Sequence, residues 1–184
     1  MKKRNVLVVV DVQNDFVKGG VLAYGYPKKS NTELICERVH QALVEGYRVI
    51  ATRDTHQGNS YFGTLEGEKL PVKHCIAGTH GWELVEDIQR LVDDRKIQVV
   101  NKETFGAIYL ADRIEDAMLP GEDFDEIEVI GYDLSICVLA NAVILRANFP
   151  NTVIKVRTAL CGDVNKEMFD AACTILRAQQ IEVL

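Results

Sequence analysis

Short runs of consecutive apolar residues alternate along the chain with amphipathic segments. Runs of this kind are typical of strands covered on both faces, because such strands have no side that faces water. They predict six strands, at Asn5–Val10, Tyr47–Thr52, Ile97–Asn101, Ile127–Gly131, Val153–Arg157 and Ile181–Leu184. The segments between them predict five helices, at Asn31–Gly46, Trp82–Val92, Ile108–Leu119, Ser135–Asn148 and Lys166–Gln180.

The alternation of strands and helices predicts an α/β fold with a doubly wound, mostly parallel six-stranded sheet and helices on both faces. No repeat, low-complexity tract or linker interrupts the pattern, so residues 1–184 are expected to form a single domain. One long irregular stretch runs from Arg53 to Gly81 and is rich in Gly, His and polar residues. A loop of that length in a compact domain is usually functional.

Composition and charge exclude several classes of partner. The net charge of −6 gives no electrostatic reason to expect nucleic acid or an anionic membrane as a partner. The apolar run Val6–Val10 is too short for a secretory signal, and no run is long enough to span a bilayer. Five cysteines, an odd number without CxxC spacing, indicate reduced thiols. We therefore expect a cytoplasmic protein.

Reactive side chains stand just beyond the predicted strands, where ligands bind in folds of this class. Asp11 follows the first strand, Lys102 follows the third, and Cys137 follows a turn after the fourth. Cys137 opens an apolar helix whose dipole would favour the thiolate, and Ser135 is the expected N-cap of that helix. A carboxylate, an ammonium and a thiol on one rim predict a nucleophile with its base and orienting group. Asp11 could serve as the base without a histidine if burial shifts its pKa toward neutral.

The long loop carries candidates for a metal site. They are Asp54, His56 and His74, with Glu66 or Glu68 as a fourth ligand. A carboxylate with two imidazoles suits a divalent ion such as zinc, iron or manganese, with positions left for water or a substrate nitrogen. His40 and His80 have no such neighbours in the sequence and are expected to take no part in the site.

Several segments resemble, in the same order, motifs of the isochorismatase-like cysteine hydrolases, and within them of the nicotinamidases. These segments are DVQNDFVKGGVLA, ATRDTH, LPVKHCIAGTHGWEL, NKETFG and GYDLSICVLANAVILRA. The resemblance extends from residue 6 to about residue 162. It implies an amidohydrolase that converts a small, nicotinamide-like carboxamide to the acid and ammonia.

The resemblance also implies roles for individual residues. Cys137 would form a thioester, Asp11 would be the acid and base, and Lys102 would support both. The backbone amides of Asp133 and Cys137 would form the oxyanion hole, beside a cis peptide bond between Tyr132 and Asp133.

The resemblance assigns the metal to Asp54, His56 and His74, with zinc as the expected ion and iron or manganese as alternatives. Phe16 and Phe105 would bind the substrate. Members of the family often form dimers or tetramers, so a homo-oligomer is expected.

Two departures from the family pattern leave the substrate open. The usual Thr-Asp pair before the residue that precedes the cysteine is Leu134-Ser135 here. The tryptophan that nicotinamidases often place three residues before the metal histidine is Pro71. Losing a ring that stacks on a pyridine would remove about 1 kcal/mol of binding energy.

Alternative functions also fit the sequence. The same fold could cleave an N-carbamoyl amide, or hydrolyse an isochorismate-type substrate, which requires neither the thiol nor a metal. A phosphorylated receiver domain also places Asp and Lys at strand ends, here Asp11, Asp54 and Lys102. A non-catalytic interaction domain of the same family is a further alternative.

Overall fold

The computed structural model describes residues 5–116 and 124–184. Its strands are β1 Asn5–Val10, β2 Arg48–Asp54, β3 Gln98–Lys102, β4 Glu126–Gly131, β5 Val153–Cys161 and β6 Glu182–Val183. They form one sheet in the order β3-β2-β1-β4-β5-β6, and every neighbouring pair is parallel. The predicted doubly wound, six-stranded sheet is therefore confirmed.

Helices connect the strands. They are α1 Thr32–Glu45, α2 Leu65–Lys69, α3 Glu86–Asp93, α4 Leu110–Glu115, α5 Leu139–Asn148 and α6 Lys166–Ala178. A turn of 3₁₀-helix, Tyr61–Gly63, precedes α2, and a turn of π-helix, Leu134–Val138, leads directly into α5. In the described part of the chain, no helix combines the length and the apolar character that crossing a membrane requires.

The two faces of the central strand β1 pack against different helices. Val6, Val8 and Val10 belong to the core that contains α4, α5 and α6, whereas Leu7 and Val9 belong to the core that contains α1 and α3. All five side chains are fully buried. Coverage of both faces explains why this strand is apolar at consecutive positions.

The structure differs from the predicted elements at several boundaries. Strand β5 extends to Cys161, beyond the predicted end at Arg157, and the helix predicted at Trp82–Val92 begins only at Glu86. The later start reflects an antiparallel bridge between Leu84 and Gln13, which holds that segment extended. The predicted helix Ile108–Leu119 is observed as α4, and its residues 117–119 lie outside the described part of the chain.

The order of the strands reverses between β1 and β4, and ligands bind at such a switch point in doubly wound folds. Gly131, the last residue of β4, has a φ of 125°. A Cβ there would lie 2.1 Å from the carbonyl oxygen of Val10, so only glycine permits this close approach. The order also differs from the 2-1-3-4-5 order of receiver domains, which argues against that alternative.

Candidate active site

Asp11, Lys102 and Cys137 converge at the carboxyl ends of the strands. The Lys102 Nζ lies 2.7 Å from Asp11 Oδ2 and 3.5 Å from the Cys137 sulfur. All three residues are buried, with relative exposures of 0% for Asp11, 5% for Lys102 and 6% for Cys137. Residues that are far apart in sequence therefore form one buried cluster, as their positions after the strands predict.

Asp11 leaves β1 in the left-handed region, with a φ of 50°, which aspartate tolerates better than most residues. The hydroxyl of Thr52 on the neighbouring strand donates a 2.7 Å hydrogen bond to Asp11 Oδ1. Burial raises the pKa of Asp11, although the Lys102 charge opposes the rise. The raised pKa makes this carboxylate a better proton acceptor than an exposed aspartate. A shift in this direction is what the predicted role of Asp11 as the base requires.

The buried environment of Cys137 favours the thiol over the thiolate. Burial raises its pKa well above the ordinary range, the Lys102 charge opposes this, and the charges of Asp11 and Asp54 reinforce it. The start of the helix was expected to favour the thiolate, but burial of the sulfur opposes that effect. The helical segment begins at Leu134, so Cys137 lies one turn inside it, where the effect of the dipole is weaker.

Asp163, which was not predicted as a site residue, fixes the turn that carries the cysteine. Its carboxylate accepts 2.8 Å hydrogen bonds from both the backbone N–H and the hydroxyl of Ser135. Ser135 is thus a donor to another segment and is not the predicted N-cap. Asp163 is fully buried in the loop after β5. An aspartate after a strand was the available signal, but the predicted strand ended six residues earlier, at Arg157.

The peptide bond between Tyr132 and Asp133 is cis, as the resemblance implies. The next residue is tied down, because Leu134 N–H donates a 2.7 Å hydrogen bond to the Gly162 carbonyl. Within residues 5–116 and 124–184, the Asp133 N–H has no acceptor. This amide is therefore free to bind an oxyanion formed beside Cys137.

Four side chains of the long loop and β2 form a cluster suited to a metal ion. They are Asp54, His56, Glu66 and His74, and their donor atoms all lie within 4.8 Å of one another. Glu66 thus lies in the position expected of a fourth ligand, whereas the alternative Glu68 is exposed and lies outside the cluster. His40 and His80 are also exposed and take no part in it.

The spacing within the cluster fits one ion. The Nε2 of His56 lies 2.9 Å from Asp54 Oδ2 and 3.5 Å from Glu66 Oε1, and the Nε2 of His74 lies 3.4 Å from each of those oxygens. Ligands about 2.0–2.1 Å from a tetrahedral ion are about 3.3 Å apart, which is close to these separations. The residues present therefore fit a divalent metal.

The electrostatics of the cluster also favour a cation. Burial would lower the pKa of His74, but hydrogen bonds to Asp54 and Glu66 outweigh it and raise that pKa to about 10. The Nδ1 of His74 lies 2.8 Å from the Val72 carbonyl, so a proton on Nδ1 leaves Nε2 facing the carboxylates. Histidine ligands are commonly oriented in this way. The cluster attracts positive charge, which a proton or a metal ion can supply.

A cavity of about 390 Å³ opens onto the cysteine. Both residues predicted to bind substrate, Phe16 and Phe105, line it together with Cys137. An adjoining cavity of about 740 Å³ shares Phe105 and Leu70 with the first. Leu70 lines both cavities and its neighbour Pro71 lines neither, so this part of the wall is aliphatic.

The family model described as the Isochorismatase domain matches residues 5–184. Over 97% of its length, the chain is 26% identical to the nicotinamidase/pyrazinamidase of Mycobacterium tuberculosis, of which the match covers 97%. It is also 26% identical to the nicotinamidase of Saccharomyces cerevisiae, over 97% of this chain and 98% of that protein.

Solved structures show the same fold. The nicotinamidase/pyrazinamidase of Bacillus subtilis matches with a TM-score of 0.83 at 22% identity, over 98% of both chains. The pyrazinamidase of Pyrococcus horikoshii, solved in complex with zinc, matches with a TM-score of 0.77 at 21% identity, over 98% of both chains.

Proposed function

Because the chain belongs to the isochorismatase family, we propose that it is an amidohydrolase that cleaves a carbon–nitrogen bond other than a peptide bond. The substrate class is a small, nicotinamide-like carboxamide, which is converted to the acid and ammonia. The observation that carries this proposal is the buried Lys102 ammonium in contact with both Asp11 and the Cys137 sulfur. The names of the two curated relatives support the choice of substrate class.

The first half of the reaction forms a thioester. Asp11 accepts the thiol proton as the Cys137 sulfur attacks the carbonyl carbon, and Lys102 stabilises the negative charge on the sulfur. The backbone amides of Asp133 and Cys137 hold the oxyanion that forms on the carbonyl oxygen. Asp11 then returns the proton to the leaving nitrogen, the carbon–nitrogen bond breaks, and ammonia departs.

The second half hydrolyses the thioester. Asp11, again a carboxylate, accepts a proton from a water molecule as its oxygen attacks the thioester carbonyl. The carbon–sulfur bond breaks, the sulfur recovers the proton, and the carboxylic acid leaves. The cavity of about 390 Å³ is large enough for a small substrate, while the Lys102–Asp11 pair is buried.

Asp54, His56, Glu66 and His74 would hold a divalent ion, with zinc as the first choice and iron or manganese as alternatives. When bound, the ion supplies a positive charge with open coordination positions for water or a substrate nitrogen. The hydrogen bond between His74 Nδ1 and the Val72 carbonyl would hold the imidazole ring with its Nε2 toward the ion.

N-carbamoyl amide cleavage is the second candidate function. It is favoured by the aliphatic wall at Leu70, which leaves less aromatic surface for a pyridine ring to stack on. The thiol in the cavity argues against an isochorismate-type substrate, since that hydrolysis does not need one. A single domain, a cytoplasmic location and assembly into a dimer or tetramer remain predictions.

Ammonia release from a panel of carboxamides and N-carbamoyl amides tests the proposed function. We expect activity in the wild type and loss of at least about 1,000-fold in Cys137→Ala, because without the thiol no covalent intermediate forms. Cys36→Ala is the matched control, since Cys36 is a buried thiol of α1 in the other core layer. Thermal unfolding should show that both variants remain folded, and full activity in Cys137→Ala would refute the nucleophile.

A further inference from the structure

One carboxyl oxygen of Asp133 has no hydrogen-bond partner among the described residues. This oxygen, Oδ1, is shielded from solvent, although the residue as a whole is only partly buried. Asp133 lines the cavity that contains the Cys137 sulfur. Buried polar groups are almost always hydrogen-bonded, so an exception inside a substrate cavity requires an explanation.

The charges that act most strongly on this carboxyl group are those of other carboxylates. Burial, together with the nearby carboxylates of Asp163 and Asp11, raises the pKa of Asp133 to about 7. The Lys102 ammonium is in contact with two other carboxylates, those of Asp11 and Asp54. The remaining wall is largely apolar, with Val21, Leu22, Tyr24, Ile136 and Val164 among its residues.

A purely structural role does not explain the group. The turn before Cys137 is already fixed by Asp163, which accepts two hydrogen bonds from Ser135 and one from the Val164 N–H. An aspartate at the start of a helix ordinarily accepts hydrogen bonds from backbone N–H groups, and Asp163 accepts them here. The side chain of Asp133 is not needed for that purpose.

We propose that Asp133 determines substrate specificity, its carboxylate accepting a hydrogen bond from an amino or ammonium group that the substrate carries in addition to its reacting amide. This inference rests on the proposed amidohydrolase function and narrows its substrate class. The same residue offers its N–H to the oxyanion, so the added group lies within a few bonds of the reacting carbonyl. Plain nicotinamide, whose ring nitrogen only accepts hydrogen bonds, lacks such a donor.

Pairs of amides that differ by one amino group test the inference. Suitable pairs are nicotinamide with 2-aminonicotinamide and propionamide with alaninamide, compared by the ratio of their kcat/KM values. We expect the wild type to prefer the aminated member of at least one pair by about 10- to 100-fold, because the donor satisfies a charged acceptor. In Asp133→Ala that ratio should fall to near 1, and a general loss of activity cancels from the ratio.

Val164→Ala is the matched control, since it changes another residue of the cavity wall without removing a charge. Its preference for aminated amides should stay within about threefold of the wild-type value, since no hydrogen bond to a charged group is lost. An unchanged preference in Asp133→Ala, or equal kcat/KM values for both members of every pair in the wild type, would overturn the inference while leaving the amidohydrolase function intact.

Binding to the Cys137→Ala variant, measured by calorimetry with the same pairs, separates this inference from the proposed function. Tighter binding of an aminated amide that is lost in the Asp133→Ala, Cys137→Ala double variant supports the role of Asp133, even if the wild type releases no ammonia. Failure of every aminated amide to bind more tightly than its partner would overturn it.

Discussion

The Nζ of Lys102 lies 3.1 Å from Asp54 Oδ1, and the other oxygen of the same carboxylate, Oδ2, lies 2.9 Å from the Nε2 of His56. Burial would raise the pKa of Asp54, but hydrogen bonds from His56 and His74 and the Lys102 charge hold it well below its usual range. One carboxylate thus joins the metal cluster to the reactive cluster. A change of charge on one side is transmitted to the other through a single residue.

Removal of a predicted ligand should reduce metal binding. We expect His74→Ala to bind zinc at least about 10-fold more weakly, because it loses an imidazole placed between Asp54 and Glu66. His80→Ala is the control, since the His80 side chain is 85% exposed. Metal content after dialysis, measured by mass spectrometry of the ions, gives the answer, and equal zinc in both variants would contradict the assignment.

Asp11→Asn should lower kcat by about 100- to 10,000-fold, because the amide keeps the shape of the side chain but cannot accept the thiol proton. Asp94→Asn, an exposed aspartate after α3, should have the activity of the wild type. Steady-state ammonia release provides kcat for both. A kcat within threefold of the wild-type value in Asp11→Asn would exclude Asp11 as the base.

Loss of the Asp163 carboxylate should lower kcat, because this group positions the turn that carries the cysteine. Asp163→Ala removes both hydrogen bonds that hold Ser135, so the turn before Cys137 shifts and kcat should fall by about 10- to 100-fold.

Asn165→Ala is a matched control for Asp163, because Asn165 caps α6 by accepting a hydrogen bond from Met168 and does not contact the turn. Its loss costs about 1 kcal/mol of stability. Urea unfolding should show a loss of at least this size in Asp163→Ala, whose buried carboxylate accepts three hydrogen bonds, whereas kcat should fall only in Asp163→Ala. Equal kcat values would show that the contact with Ser135 does not position the cysteine.

Glu128→Gln should destabilise the protein strongly and in a pH-dependent way. Burial would raise the pKa of Glu128, but hydrogen bonds from Arg38 and Arg157 outweigh it and lower the pKa. A lowered pKa gives stability that is fully present above the ordinary value near 4.3 and is lost as the pH falls through the folded-state value. At pH 7 the variant should lose about 3–5 kcal/mol, because Arg38, which is buried, and Arg157 lose the buried carboxylate that they share.

Urea unfolding of the wild type and Glu128→Gln at pH 7 and at pH 3 should show the difference shrinking in acid. Glu45→Gln is the control, since Glu45 pairs with the same Arg38 at 3.1 Å but its side chain is 38% exposed. That pair should contribute less than about 1 kcal/mol. A difference between wild type and Glu128→Gln that stays constant with pH would contradict the linkage.

The strands and the reactive residues were predictable because both depend on local sequence. Val6–Val10 is apolar at every position since both faces of β1 are covered, and Asp11, Lys102 and Cys137 stand where their strands end. Parallel strands bring such positions to one edge of the sheet without further information.

Features that depend on long-range contacts were not predictable in this way. Asp163 meets Ser135 across 28 positions of sequence, and nothing near either residue indicates the pairing. The pKa of Cys137 depends on how deeply packing buries the sulfur, and the start of a helix gives no information about that burial. The short helix α2 was not predicted for a different reason. Its start is marked only by the Thr64 side chain, which accepts a hydrogen bond from the Gly67 N–H, and the surrounding loop has no apolar periodicity.

The absence of a side chain at Gly131 limits how this enzyme can change. The residue precedes Tyr132 and lies against the end of the strand that leads to Asp11, so any substitution would wedge the two strands apart. The attacking sulfur and its proton acceptor would then separate, although neither residue had been altered. The distance between the Cys137 sulfur and the Asp11 carboxylate thus depends on Gly131, which has no side chain and takes no part in the reaction.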